Sequence, residues 1–174
     1  MRIEVLGGEE GWPLVEALDR EVYPPEYMAT VIWKHVVWAH ADKRVAAWDE
    51  GGRVVCHAGL FFRAGTHDGV PVRMCGIGGV MTSASVRKQG FASAVMRRAA
   101  QEMARGPNCV DFGLLFCEQH NVKLYAGLGW KIFSGQVHCT QPGGAMIFDM
   151  MPNMVLPLKC APERGKIDLC GLPW

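Results

Sequence analysis

Gly78-Gly79-Val80-Met81-Thr82-Ser83-Ala84-Ser85-Val86-Arg87-Lys88-Gln89-Gly90-Phe91-Ala92 is an apolar strand that enters a loop and leaves it as a helix. The helix start is built from Gly90 and Ala92, so its first N–H groups face outward with almost no side chain in the way. Free N–H groups and the positive end of the helix dipole attract anions, and Arg87 and Lys88 add formal charge beside them. A pyrophosphate-like group suits such a turn.

Outward from this stretch the periods are distinct. Phe91, Val95, Ala99 and Met103 recur every four residues, with Arg97, Arg98, Gln101 and Glu102 mostly on the other side, which predicts an amphipathic helix ended by Gly106-Pro107. Cys109 to Phe116 is a nearly continuous apolar strand, of the kind covered on both faces, and a short helix is expected from about Gln119 to Leu128. Upstream, Val45 to Trp48 and Val54 to Phe62 flank a Gly/Asp turn. A second turn at Gly65 to Gly69 leads into the run from Val70, so three adjacent antiparallel strands are expected. Arg2 to Leu6 reads as a first strand, and Trp12, Val15, Leu18 and Val22 mark a helix ended by Pro24-Pro25. A second helix is expected from Glu26 through Val36. Trp130 to Phe133, Ala145 to Asp149 and Met154 to Leu158 read as further strands.

With 174 residues, about half of them apolar, one domain over 1–174 is expected. Lys plus Arg (18) nearly cancel Asp plus Glu (17), so no global field would hold nucleic acid or an anionic membrane. The start lacks a signal-peptide pattern, and no apolar run approaches the roughly 18 residues needed to cross a bilayer, which reads as cytoplasmic. Seven scattered cysteines without a Cys-x-x-Cys pair read as reduced thiols, with no structural zinc.

The segment Arg87-x-x-Gly90-x-Ala92 resembles the acyl-CoA-binding motif of the GNAT superfamily, Arg/Gln-x-x-Gly-x-Gly/Ala at a strand-to-helix turn. Leu124-Tyr125-Ala126-Gly127-Leu128-Gly129-Trp130 resembles a second segment of that superfamily, Tyr-x-x-x-Gly-Phe/Trp. Together they cover roughly residues 43 to 135. The resemblance implies a GNAT fold of the α/β (α+β) class, with a mixed, mostly antiparallel sheet of six to seven strands, a central splay and about four helices. It implies acetyl-CoA, or another acyl-CoA, as co-substrate, held by Val80, Met81, Thr82, Arg87, Lys88, Gln89, Gly90, Phe91, Ala92 and Asn121. Tyr125 takes the role of protonating the leaving thiolate, and a small-molecule amine is the acceptor. Homodimers are common in the family.

Acyl transfer to an amine also needs a base, because a lysine-like amine has a pKa near about 10.4. Many GNAT members carry a glutamate on the strand before the turn, and here Gly78 and Gly79 stand in that stretch. Glu118 and His120, His57, or ordered water with backbone carbonyls remain open as the route. Cys117 lacks an arranged base and an electropositive pocket, so covalent catalysis does not follow from its sequence position beside His120. The nearest resemblance within the superfamily is to aminoglycoside 2'-N-acetyltransferases and the nodulation acyltransferase. It implies an amino-sugar acceptor, with Gly78, Trp33 and Trp174 on the substrate side and the α-carboxylate of Trp174 facing the substrate. Acids are sparse around Trp174, with Leu172 and Pro173 before it and only Asp168 near. The alternative function is a non-catalytic acyl-CoA-binding sensor or assembly module.

Overall fold

The computed structural model describes residues 1–105 and 109–174. Among these residues ten strands form one sheet: β1 (Arg2–Gly7), β2 (Lys43–Trp48), β3 (Val54–His67), β4 (Val70–Thr82), β5 (Phe112–Phe116), β6 (Lys131–Ile132), β7 (Gln136–Gln141), β8 (Gly144–Ile147), β9 (Asn153–Pro157) and β10 (Lys166–Asp168). The α-helices are α1 (Trp12–Val22), α2 (Pro25–Met28), α3 (Phe91–Met103) and α4 (Val122–Ala126). The sheet exceeds the six to seven strands expected, while the fold class and the four helices agree. The helix stop expected at Gly106-Pro107 lies outside the described residues.

β1, β2, β3 and β4 are neighbours, all antiparallel. β4 then pairs in parallel with β5, and only over Met74–Ile77 against Phe112–Leu115. Beyond Ile77 the two strands part. β4 continues to Thr82 on the β3 side alone, through a bulge opposite Ala58 in which Gly79 takes a φ of 55°. The wedge between β4 and β5 therefore exposes main-chain polar groups that a closed sheet would have paired.

Alternation along the strands sorts side chains to two faces. Val45, Ala47, Cys56, Ala58, Leu60, Cys75 and Ile77 join Val95, Met96, Ala99 and Met103 of α3, with Tyr125 and Trp130, in one buried cluster. Arg44, His57, Gly59, Phe61, Gly78 and Met81 belong to the opposite face, where Met81 packs with Val15 and Leu18 of α1. Glu102 of α3 is buried and held by Arg98 at 2.9 Å and Lys43 at 3.7 Å, which ties the helix to β2.

Three expectations change. The second helix is a single turn, because Thr30, Val31, Ile32, Val36 and Val37 are β-branched and weak helix formers, and the segment instead carries Trp33 and Trp38 into a row of packed aromatic rings. β3 runs through Gly65 and Thr66, where the sequence predicts a turn. A Cβ at Gly65 would meet the Asp168 carbonyl at 2.3 Å, so this glycine admits the adjacent β10. β7 and β10 are additions that sequence periodicity did not mark.

Candidate active site

A cleft of about 1650 Å³ runs by the wedge and is lined by residues from both faces of the sheet. At one end is the loop after β4. Ser83 caps a 3₁₀ turn at Ala84–Val86, Lys88 takes a φ of 61°, and Gly90 precedes α3 with a φ of 84° and no side-chain cap. Only a residue without a Cβ adopts that angle without strain. The N–H groups of residues 90–93 find no backbone acceptor among the described residues; the first helical bond there is Ala94 N–H to the Gly90 carbonyl. Arg87, Lys88, Gly90, Phe91 and Ala92 all line the cleft. Gln89 does not, and its amide donates to the Ser85 carbonyl at 3.1 Å. Glu21 of α1 fixes the loop from behind, accepting from the Ser83 hydroxyl at 2.8 Å and from the Ala84 N–H at 3.0 Å.

Val80, Met81, Thr82, Asn121 and Tyr125 line the same cleft. Tyr125 is 5% exposed, and its ring meets Trp130 edge-on at 6.4 Å. Burial, with Cys117, Tyr23 and Cys56 nearby, pushes its pKa well above the ordinary tyrosine value. The hydroxyl therefore keeps its proton at neutral pH, and it has no hydrogen-bond partner among the described residues. Burial likewise pushes the Cys117 thiol up to about 11, which leaves a thiol and no nucleophile at neutral pH.

The far end is aromatic. Tyr27, Tyr23, Trp33, Trp38, Phe148, Phe116, Trp174 and Phe61 form an unbroken sequence of ring contacts at centroid distances from 4.2 to 6.1 Å. Trp174 is 5% exposed and donates from Nε1 to the Leu114 carbonyl at 3.2 Å. It lies where a side chain at position 76 would be: a Cβ at Gly76 would meet its ring at 2.0 Å. Its main-chain carbonyl carbon abuts Gly78. Near the mouth, Glu118 accepts from the Tyr27 hydroxyl at 3.1 Å and lies 3.4 Å from His120 Nδ1.

His57 is placed differently from a base. Arg44 Nη1 is 3.2 Å from its Nε2, and guanidinium nitrogens only donate, so Nε2 accepts and Nδ1–H donates to the Gly79 carbonyl at 2.8 Å. Burial, reinforced by Arg44 and partly offset by the Gly79 bond, lowers its pKa to about 4. Its lone pair is already occupied, so it braces the bulge in β4 and is no proton acceptor for a ligand.

The sequence profile of the Acetyltransferase (GNAT) domain matches residues 7–133. The chain belongs to the GNAT family. Solved structures share the fold at low identity. A GNAT family N-acetyltransferase, YhbS, from Escherichia coli in complex with CoA is 14% identical over 97% of this chain and 89% of its own, with a TM-score of 0.63. An acyl-CoA N-acyltransferase from Pseudomonas aeruginosa is 19% identical over 89% of this chain and 97% of its own, with a TM-score of 0.57. No curated protein matches the chain by sequence. Within this GNAT domain the sequence motifs thus meet in one cleft, with Trp33 and Trp174 in its aromatic wall. The residues missed from sequence are Arg44, Trp12, Asp19, Tyr23 and Tyr27, which also line the cleft. They belong to no contiguous motif; only their shared face, visible once β2 and α1 are placed, brings them together. Among the described residues no group of three or more His, Cys, Asp or Glu could hold a metal, and no helix is long and apolar enough to cross a membrane.

Proposed function

We propose that this GNAT domain transfers an acetyl or other acyl group from acyl-CoA directly to the amine of a small molecule, both substrates being bound together. The observation that carries this reading is the continuity of the cleft, which links the uncapped start of α3, the unpaired edge of β4 and the Tyr125 hydroxyl. The N–H groups at residues 90–93, with Arg87 and Lys88, receive the pyrophosphate. The edge of β4 beyond Ile77 pairs with the amide-rich pantetheine arm of the acyl-CoA, and a backbone N–H near Val80 or Met81 supports the oxyanion.

Attack by the neutral amine on the thioester carbon forms the C–N bond, and collapse breaks the C–S bond with its electron pair leaving on sulfur. Tyr125 donates a hydrogen bond to that thiolate. A thiol pKa of about 8.5 lies below that of Tyr125, so the proton is shared rather than surrendered outright. The amine proton passes to Glu118, whose neighbour His120 is open to solvent and relays it outward. The aromatic wall favours an acceptor with flat apolar faces, as a singly charged amino sugar has, over a polycationic aminoglycoside that would meet few acids.

The test is Tyr125→Phe. Acetyl-CoA should raise the melting temperature of wild type and variant alike, while CoA release with an amine acceptor drops about 100-fold in kcat. Unchanged turnover in the variant removes Tyr125 from the chemistry. Absence of CoA release from the wild type, with the thermal shift intact, would favour the sensor reading.

A further inference from the structure

The acceptor end of the cleft contains a cation that the transfer chemistry does not use. Arg44 of β2 is 8% exposed, and its guanidinium lies 4.8 Å from the Trp12 ring centroid. Its Nε donates to the Gly8 carbonyl at 2.6 Å and Nη1 to His57 at 3.2 Å. Of five N–H donors these bonds engage two, and the other three have no partner among the described residues. No carboxylate lies within 4.0 Å of it among the described residues. Asp19 of α1 adds a longer-range attraction without coming within ion-pair distance. A nearly buried guanidinium without a contacting counter-ion is costly unless a ligand supplies one.

Its position says where that ligand's anion must be. A single imidazole ring, that of His57, separates the guanidinium from the Gly79 carbonyl in the bulge of β4. Arg44, His57, Gly79, Val80 and Tyr125 line the same cleft.

We propose that the acceptor carries a carboxylate beside its amine, and that Arg44 receives the carboxylate through its unpaired N–H groups while the amine faces the bulge of β4. This rests on the transferase reading and narrows its substrate to a zwitterion, an amino acid or an acidic amino sugar. A planar carboxylate matches the guanidinium fork with one charge for one charge. A dianionic phosphate would outnumber the single cation among Trp12, Tyr23 and Phe61. The aromatic wall then receives the remainder of the molecule.

The experiment uses matched pairs: each common amino acid against its amide, and muramic acid against glucosamine. Two readouts are taken, the thermal shift of the CoA-loaded protein and acyl transfer from acetyl-CoA by mass spectrometry. At least one acid should shift the protein and react with a kcat/KM ten-fold or more above its amide or neutral partner. In Arg44→Gln that preference should vanish, with KM for the acid raised about 100-fold; in Arg44→Lys, which keeps charge and loses the fork, it should fall part-way. Should Arg44→Gln not fold, the wild-type discrimination and the lysine variant decide. Equal responses to acid and partner, or a preference that survives the substitution, overturn the proposal, as does the lack of any acid-dependent shift. An Arg44-dependent shift without turnover for any pair overturns the transferase reading and leaves the carboxylate site standing.

Discussion

The two ends of the cleft are built from different material. The end at residues 82–92 is built mainly on backbone, with N–H groups, two left-handed residues and a helix start, to which Arg87 and Lys88 add charge while Gln89 turns aside. The acceptor end consists of side chains brought from α1, β2, β3, β5 and the segment after α2. A backbone site recognises what every donor of one class shares, and it tolerates change in most neighbouring side chains. A side-chain site selects one acceptor, and each residue in it is a separate handle. The family likeness therefore belongs to the first end and the individuality of this chain to the second.

The largest expected effect breaks the backbone end. Gly90→Val forces a β-branched residue to a φ of 84°, and with open space around the position the damage is conformational alone. Affinity for acetyl-CoA, measured by calorimetry, should fall about 1000-fold with the sheet intact by circular dichroism. The next tests the acceptor end through pH. His57 has a pKa of about 4 when folded against about 6.5 unfolded, so the unfolded chain binds the proton first as pH falls. Its contribution is fully present above pH 6.5 and is lost progressively down to about pH 4, amounting to about 3 kcal/mol. Denaturant titrations across that window should show the loss in wild type and a flatter profile in His57→Gln. Glu118→Gln, at the mouth, should lower kcat about 30-fold while leaving the acetyl-CoA thermal shift unchanged; equal loss in both would place Glu118 at the wrong end. Gln89→Ala should be the smallest, under about three-fold in KM for acetyl-CoA, because its amide serves only the Ser85 carbonyl.

The same contrast explains what could be read in advance. Arg87, Gly90 and Ala92 act as a contiguous unit whose spacing is set by one turn and one helix start, so the string of residues already contains its geometry. Phe91, Val95, Ala99 and Met103 carry the helix face that α3 buries. Arg44 and His57 look like ordinary strand residues until the register of β2 on β3 places Arg44 opposite Gly59 and Ala46 opposite His57, on one face. The sequence leaves His57 open as a base for the same reason: nothing local shows that Arg44 occupies its Nε2. Trp174 stands out in the sequence, but its packing into the space above Gly76 depends on residues almost one hundred positions apart. The one-turn α2 is hidden because helical spacing of apolar residues masks the weak helix propensity of a β-branched run, and the three-residue β10 because its place depends on pairing with β3 and β7.

Glu21 stands apart from both substrates, yet a single one of its oxygens accepts from Ser83 and Ala84 on the phosphate loop while its helix, α1, supplies Trp12 and Asp19 to the acceptor end. A shift of α1 would therefore reach both that loop and the far wall of the cleft. Thermodynamic linkage makes such a connection reciprocal: the factor by which the first ligand alters affinity for the second equals the factor in the opposite direction. Through one carboxylate, the two ends of the cleft share a support.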